Sequence, residues 1–346
     1  MNHSIRTLEE IAGLGLLKGI GQSFHINDKE KIENLHSQSF LLHGSMEFYY
    51  GSQCIIANGK LISIPGIDNL AADPTKQQDL FREGMEKDTL NITDYGIMKN
   101  DLPVLIDTFV ASNIYHFMVD VIGKLGIASK FLDLSKCKLM LNAWQPFQRE
   151  ALAAANIKYI WTGYEKRYVG NFYVPSLAGA SRRCPRETIL FARNLFHNVK
   201  TLDDANSVIY ISRAKSSRKI INEDYLIGKL NTVTKVQCLT LEDYTFTEKI
   251  SIFKAAKIII GSYGAGLVFS MFTEENSQLI DILGPNFQGE HYSSLAHQSG
   301  LRYFSIGNIE SKVLNNTTPN WNLDYALSEE QVEKVCEQLS ACMADM

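Results

Sequence analysis

Ile258-Ile259-Ile260-Gly261-Ser262-Tyr263-Gly264-Ala265-Gly266-Leu267 is the stretch whose reading decides the fold of this chain. A β-branched apolar run stops at glycine, and a helix-compatible run, 267–272, follows: strand, tight glycine turn, helix start. Glycine in such a turn lets backbone approach a ligand with no Cβ in the way. The first N–H groups of a following helix point at an anion. Two readings stay open on this stretch alone. It is a phosphate or diphosphate cradle, or a strand–helix connector that needs glycine only for steric reasons. The spacing is neither the G-x-G-x-x-G of a dinucleotide site nor a P-loop.

Outward from this motif, strands and helices alternate. Downstream, 279–283 and 302–306 read as strands. Upstream, Thr245 and Glu248 are spaced as a capping box for a helix over 245–256. Residues 236–241 and 208–212 read as strands. Asn222 caps a helix between them, with Glu223 and Asp224 in its first turn, where the dipole favours carboxylates. A second alternating set covers 102–199: strands at 102–109, 138–141, 157–161 and 168–174, a helix over 112–132, and helices opened by Pro146 and Pro185. Such alternation means βαβ units and parallel sheets. The polar stretch 201–207 separates the two sets. The expectation is an α/β protein of two Rossmann-like domains facing a cleft, with ligands at the carboxyl ends of strands. The first domain is 1–202, made of a strand-rich extension (1–98) and a Rossmann-like part (99–202). The second is 203–325. In the extension, Asn58-Gly59 between apolar runs is a hairpin signal. The segment 326–346 carries a second capping box, Ser328 and Gln331, and a helix expected to pack back on the first domain.

The chain has 346 residues and a formal net charge of −4. That length supports about two domains. The charge argues against a protein built to coat nucleic acid. No run approaches the roughly 18 apolar residues of a membrane helix. The N-terminus reads as no signal peptide, so a cytoplasmic protein is expected, with peripheral membrane association at most. The six cysteines are spread out with no C-x-x-C, so free thiols are expected. Oligomeric state is open, a homodimer included.

Several clusters could carry chemistry. His116, Asp120 and Lys124 are spaced i, i+4, i+8 and share one face of an otherwise apolar helix. They form an acid–base unit lining a cleft, or an ordinary polar stripe. Arg213, Lys215, Arg218 and Lys219 follow a strand end, where a phosphate-bearing ligand would sit; the alternative is a solvated basic loop. Glu248 either caps its helix or lies near a ribose. Arg182, Arg183 and Arg186 could meet an anionic acceptor. Asn113, Glu290 and His291 could line an acceptor or sugar pocket. No Asp-x-Asp is present, no Cys/His cluster has zinc spacing, and no G-x-S-x-G supports a hydrolase.

Three blocks together resemble glycosyltransferase family 61. They are Asn113-Ile114-Tyr115-His116-Phe117 through Asp120; Tyr210-Ile211-Ser212-Arg213 with Arg218 and Asn222-Glu223; and Phe246-Thr247-Glu248-Lys249 leading to Gly261-Ser262-Tyr263-Gly264-Ala265-Gly266-Leu267. The resemblance runs from about 102 to 306. It implies a GT-B type transferase that inverts the sugar, takes a nucleotide-sugar donor, and needs neither metal nor other cofactor. The first domain would bind an oligosaccharide or lipid-linked saccharide acceptor and the second the donor. By the resemblance, Arg213 and Lys219 neutralise the leaving diphosphate, cradled by the backbone of Gly264, Ala265, Gly266 and Leu267; Arg218, Ser262 and Tyr263 belong to the same donor-binding set. Glu248 sits near the nucleotide, and Asp120, or His116 oriented by it, is the base. Many bacterial relatives build capsule or lipopolysaccharide, which is the expected role. Two departures stand out: Lys249 follows Glu248 where the family has Gln, and Tyr263 replaces a histidine before Gly-Ala-Gly. The second keeps two further readings open, a non-catalytic sugar-binding subunit and a pyruvyl or phosphosugar transferase of similar fold.

Overall fold

The computed structural model describes strand backbone at 4–6, 18–20, 23–25, 40–49, 54–57, 60–63 and 88–91. It then describes 100–345, apart from 109, 163–165, 177, 179–182, 203–206, 285–289 and 308–323. Arg182 lies outside the described residues. The chain divides into two compact units, Met1–Leu195 and Phe196–Met346. Both are mixed α/β with parallel strand pairs.

The first unit contains strands β1 (Ser4–Arg6), β2 (Lys18–Ile20), β3 (Ser23–His25), β4 (Phe40–Tyr49), β5 (Cys54–Ala57), β6 (Lys60–Ser63), β7 (Asp88–Asn91), β8 (Leu102–Leu105), β9 (Cys137–Leu141), β10 (Tyr159–Trp161) and β11 (Lys166–Pro175). They form one sheet in the order β10-β9-β8-β11-β4-β5-β6-β3-β2, with β1 beside β4 and β7 beside β11. The sheet is parallel from β10 through β9 and β8 to β11. It turns antiparallel at β11–β4, where Pro175 faces Leu41. Ala57 pairs with Lys60 across β5 and β6, the register a two-residue turn leaves.

Helix α1 links β8 to β9. It is α-helical over Ile114–His116, π-helical over Phe117–Val121 and α-helical again over Ile122–Ala128. Every residue from Phe117 to Ala128 is buried, which is why so few of its positions are polar. Asn113 caps it, accepting the Tyr115 N–H at 2.9 Å. Helix α2 (Pro146–Ala154) opens on proline, as its sequence predicts, and α3 (Arg186–Leu195) follows Pro185.

The second unit holds β12 (Ser207–Ser212), α4 (Glu223–Val233), β13 (Gln237–Thr240), α5 (Phe246–Ala255), β14 (Ala256–Ser262), β15 (Gln278–Leu283), α6 (His291–Ser299), β16 (Arg302–Gly307) and α7 (Glu329–Ala344). Its five strands run parallel in the order β13-β12-β14-β15-β16. The chain winds outward from β12 to β13, then returns past β12 to β14. Sheet direction therefore reverses between β12 and β14. Crevices at such switch points, at the carboxyl ends of the strands, are where doubly wound sheets bind ligands.

Three local expectations change. The segment after the glycine turn is a 3₁₀-helix, Ala265–Phe272, rather than an α-helix. Asn222 precedes α4 but does not cap it; its side chain instead clasps Leu327, donating to the carbonyl and accepting the N–H, each at 2.9 Å. Helix α7 does not need the first domain to cover it. Its apolar face, Val332, Val335, Leu339 and Cys342, is buried in the second unit's core with Ile258, Ile260, Ile280 and Ile282. Both capping boxes, Thr245 with Glu248 and Ser328 with Gln331, form as spaced. Among the described residues no helix is long and apolar enough to cross a membrane.

Leu339 is fully buried, and truncating a buried leucine costs about 2–5 kcal/mol. Leu339→Ala is expected to lower unfolding stability by that amount, read by chemical denaturation of the whole chain.

Candidate functional site

The glycine turn and the basic loop meet at the switch point of the second unit. Arg213 follows β12 and Gly264 follows β14, and these strands are hydrogen-bonded neighbours. A Cβ added at Gly264 would overlap Nη1 of Arg213 and lie 2.8 Å from its Cζ. Only glycine at 264 lets the guanidinium lie against the backbone there. The Gly264 carbonyl accepts a hydrogen bond from the Tyr292 hydroxyl at 2.6 Å, and the first bond of the 3₁₀-helix runs from the Leu267 N–H back to the same carbonyl. The N–H groups of Ala265 and Gly266 stand ahead of that first helical bond.

Arg218 is the second cation. Its backbone has φ 63°, the left-handed region that non-glycine residues rarely enter. Strain of this kind tends to sit where function demands it. Its Cζ lies 5.9 Å from the centre of the Tyr263 ring, and its Nε is buried with no hydrogen-bond partner. Arg213 gives its Nε–H to the Ser217 carbonyl at 2.8 Å. Burial first, and the charge of Arg218 second, push the Arg213 pKa below its usual value; Tyr292 and Glu242 oppose them. Among the described residues neither arginine has an ion-pair partner. Two partly buried guanidiniums that repel each other form a site electrostatically incomplete without an anion.

Around them is a hydroxyl-rich wall. Ser262 Oγ and the Tyr325 hydroxyl are 2.8 Å apart. The Tyr263 hydroxyl is 2.7 Å from Nδ1 of His291. The resemblance expects a histidine at 263; here a tyrosine stands there and holds a histidine delivered from the start of α6. Nothing in the sequence motifs marks Tyr325, which lies far along the chain and reaches the site because Tyr325 pairs with Ile220.

The other two cations of the basic loop are exposed. Lys215 pairs with Asp243. Lys219 is exposed, and its N–H donates to Asp324 at 2.9 Å. Glu248 is exposed and accepts from both the N–H and the hydroxyl of Thr245 at 2.7 Å, which holds its carboxyl below the usual range. Its geometry is that of the helix cap. Glu290 is exposed at the start of α6, and Arg183 is exposed in the first unit.

In the first unit, His116 and Asp120 meet: Nδ1 to Oδ2 is 2.9 Å. Asp120 is buried, while 22% of the His116 side chain is exposed. Asp120 lies inside the π-helical turn. Such turns widen a helix locally and recur at functional sites. Lys124, one turn on, is buried and donates to the Asp107 carbonyl at 3.0 Å. Burial pulls the Lys124 pKa down to about 8, against the charges of Asp107 and Asp120. Burial pushes the Asp107 carboxyl up to about 7, although the N–H groups of Asn142 and Thr108, each at 2.9 Å, and Lys124 counter it. Asp107 was not among the sequence candidates. Its signal was a lone acid closing the apolar run that becomes β8.

Residues 114–280 match the family model described as Glycosyltransferase 61. The chain is 32% identical over 101 residues to the EGF domain-specific O-linked N-acetylglucosamine transferase of Drosophila melanogaster, covering 28% of this chain and 19% of that protein. It is 24% identical over 125 residues to the protein of the same description from Gallus gallus, covering 33% and 23%. The chain spans less than a quarter of the length of these curated relatives.

Gly264→Val puts a side chain where the Arg213 guanidinium lies. The expected result is a folded protein whose affinity for uridine diphosphate falls at least tenfold, as in Arg213→Ala, measured by calorimetric titration.

Proposed function

We propose that this chain, a member of the glycosyltransferase 61 family, moves a sugar from a nucleotide-sugar donor to an acceptor hydroxyl with inversion and without a metal. The observation that carries the reading is the pair Arg213 and Arg218, partly buried at a sheet switch point with no ion-pair partner among the described residues, Arg213 lying against Gly264. A departing nucleoside diphosphate gains negative charge as its bond to the anomeric carbon breaks. Fixed cations and N–H donors aimed at that charge are strongest where water is scarce. The guanidinium fork suits phosphate oxygens, and the Ala265 and Gly266 N–H groups add backbone donors. The two arginines supply the charge that a divalent cation brings in other transferases.

The first unit supplies the base. The acceptor oxygen attacks the anomeric carbon from the side opposite the diphosphate. The new carbon–oxygen bond forms as the sugar–phosphate bond breaks, which inverts the centre. The hydroxyl proton passes to the His116–Asp120 pair, either to Asp120 or to His116 held by it. Two Rossmann-like units in a GT-B arrangement fit this division of labour. The names of the relatives make N-acetylglucosamine the first donor sugar to test. For the acceptor we propose a saccharide, in assembly of a surface polysaccharide, on the family resemblance.

Positioned general bases contribute roughly 10²–10⁴-fold in rate. Asp120→Asn is expected to lower kcat at least a hundredfold while the dissociation constant for uridine diphosphate stays unchanged. Full activity in that variant removes Asp120 from the chemistry.

A further inference from the structure

Trp144 and Trp161 are two of the three tryptophans of this chain, and 48% and 61% of each is exposed. Large apolar side chains left this far in water need an explanation. Trp161 closes β10, and Trp144 is the third residue after β9; the two strands are parallel neighbours. Both therefore lie at the carboxyl edge of the sheet, where α/β ligands bind. Neither residue is a loose surface side chain. Trp161 donates its Nε1–H to Oδ1 of Asn142 at 2.8 Å. Arg149 holds the backbone at Trp144, donating to the carbonyls of Ala143 at 2.9 Å and Trp144 at 2.6 Å.

The Trp161 anchor runs on to Lys124, a neighbour of the acid–base pair on α1. The Asn142 N–H donates to Asp107 Oδ2 at 2.9 Å, and the Asp107 carbonyl accepts from Lys124 at 3.0 Å. Lys124 lies one turn of α1 from Asp120, which meets His116 at 2.9 Å. An exposed indole is thus linked through Asn142 and Asp107 to Lys124, one helix turn from the groups assigned to take the acceptor proton.

We propose that Trp144 and Trp161 form the acceptor subsite, a platform for the C–H face of a pyranose ring in a β-linked, gluco-configured oligosaccharide. The inference rests on the proposed role of the His116–Asp120 pair. Equatorial hydroxyls leave both faces of such a ring lined with C–H bonds. Their slight positive charge suits the negative face of an indole. Ligand sites of this kind pair aromatic surface with a few fixed polar groups, here the Asn142 amide and Arg149.

The test is titration of the whole chain with cellotetraose and with chitotetraose, read by tryptophan fluorescence and calorimetry, with uridine diphosphate titrated in parallel. Saturable binding with a blue shift is expected, weakened at least fivefold by Trp144→Ala and by Trp161→Ala and largely kept by Trp161→Phe. Melting temperatures check that each variant folds. Equal affinity in all variants, or no binding of either saccharide, overturns the subsite. So does binding of a folded EGF-like domain in place of both saccharides. Uridine diphosphate binding without saccharide binding sinks the subsite and leaves the donor reading standing. Saccharide binding that tracks the tryptophans supports the subsite whatever the diphosphate does.

Discussion

The second unit is organised around two guanidiniums that repel each other and, among the described residues, have no ion-pair partner. The parallel order of its strands makes β12 and β14 neighbours, so the residues that follow them, Arg213 and Gly264, fall side by side. A glycine at 264 is what allows Arg213 to lie flat there. The left-handed backbone at Arg218 then brings a second cation over Tyr263. Each of these choices costs stability: like charges approach, a guanidinium nitrogen is buried unbonded, and the backbone is strained. A fold that breaks local rules at one place is showing where its ligand contributes. On the proposed reading a diphosphate offsets the first two: it separates the like charges with an anion and gives the unbonded nitrogen an acceptor.

The first unit follows a similar logic with opposite ingredients. Its sheet edge gathers Asp107, Lys124, Asp120 and His116 on buried or nearly buried positions. Burial of Lys124 and Asp107 moves both pKa values towards neutrality, the range in which proton transfer at physiological pH is efficient. The signs are opposed. Native Asp107 holds its proton longer than the unfolded chain does, so this group favours folding less as pH rises from 3.8 to about 7. Native Lys124 gives its proton up earlier, so its burial penalty is relieved as pH rises from about 8 towards 10.5. The cluster is therefore least stabilising near neutrality, where a transferase would use it.

Much of this was legible in the sequence wherever the signal was local. The glycine turn, the capping boxes at Thr245 and Ser328, the proline-opened helices and the His116–Asp120 spacing each depend on residues a few positions apart. Long-range pairing was not legible. No periodicity announces that β11 will meet β4 with Pro175 against Leu41, nor that Tyr325 will reach Ser262. The Asn222 side chain reads as a helix cap from its neighbours, yet it bonds to Leu327, more than a hundred residues away, because the segment leading to α7 docks there. The π-helical turn at Asp120 and the 3₁₀ turn after Gly264 are finer than sequence periodicity resolves. The bond from Tyr263 to His291 joins residues 28 apart in sequence and is likewise invisible in the motif.

The central claim is that Arg213 and Arg218 jointly hold a diphosphate. A crystal structure of the protein soaked with uridine diphosphate tests it most directly. The account predicts phosphate oxygens within hydrogen-bond distance of both guanidiniums, against the backbone of Gly264 to Gly266, with the pyrophosphate bridging the ends of β12 and β14. A diphosphate found elsewhere on the chain, or at this place with both guanidiniums turned away, contradicts it.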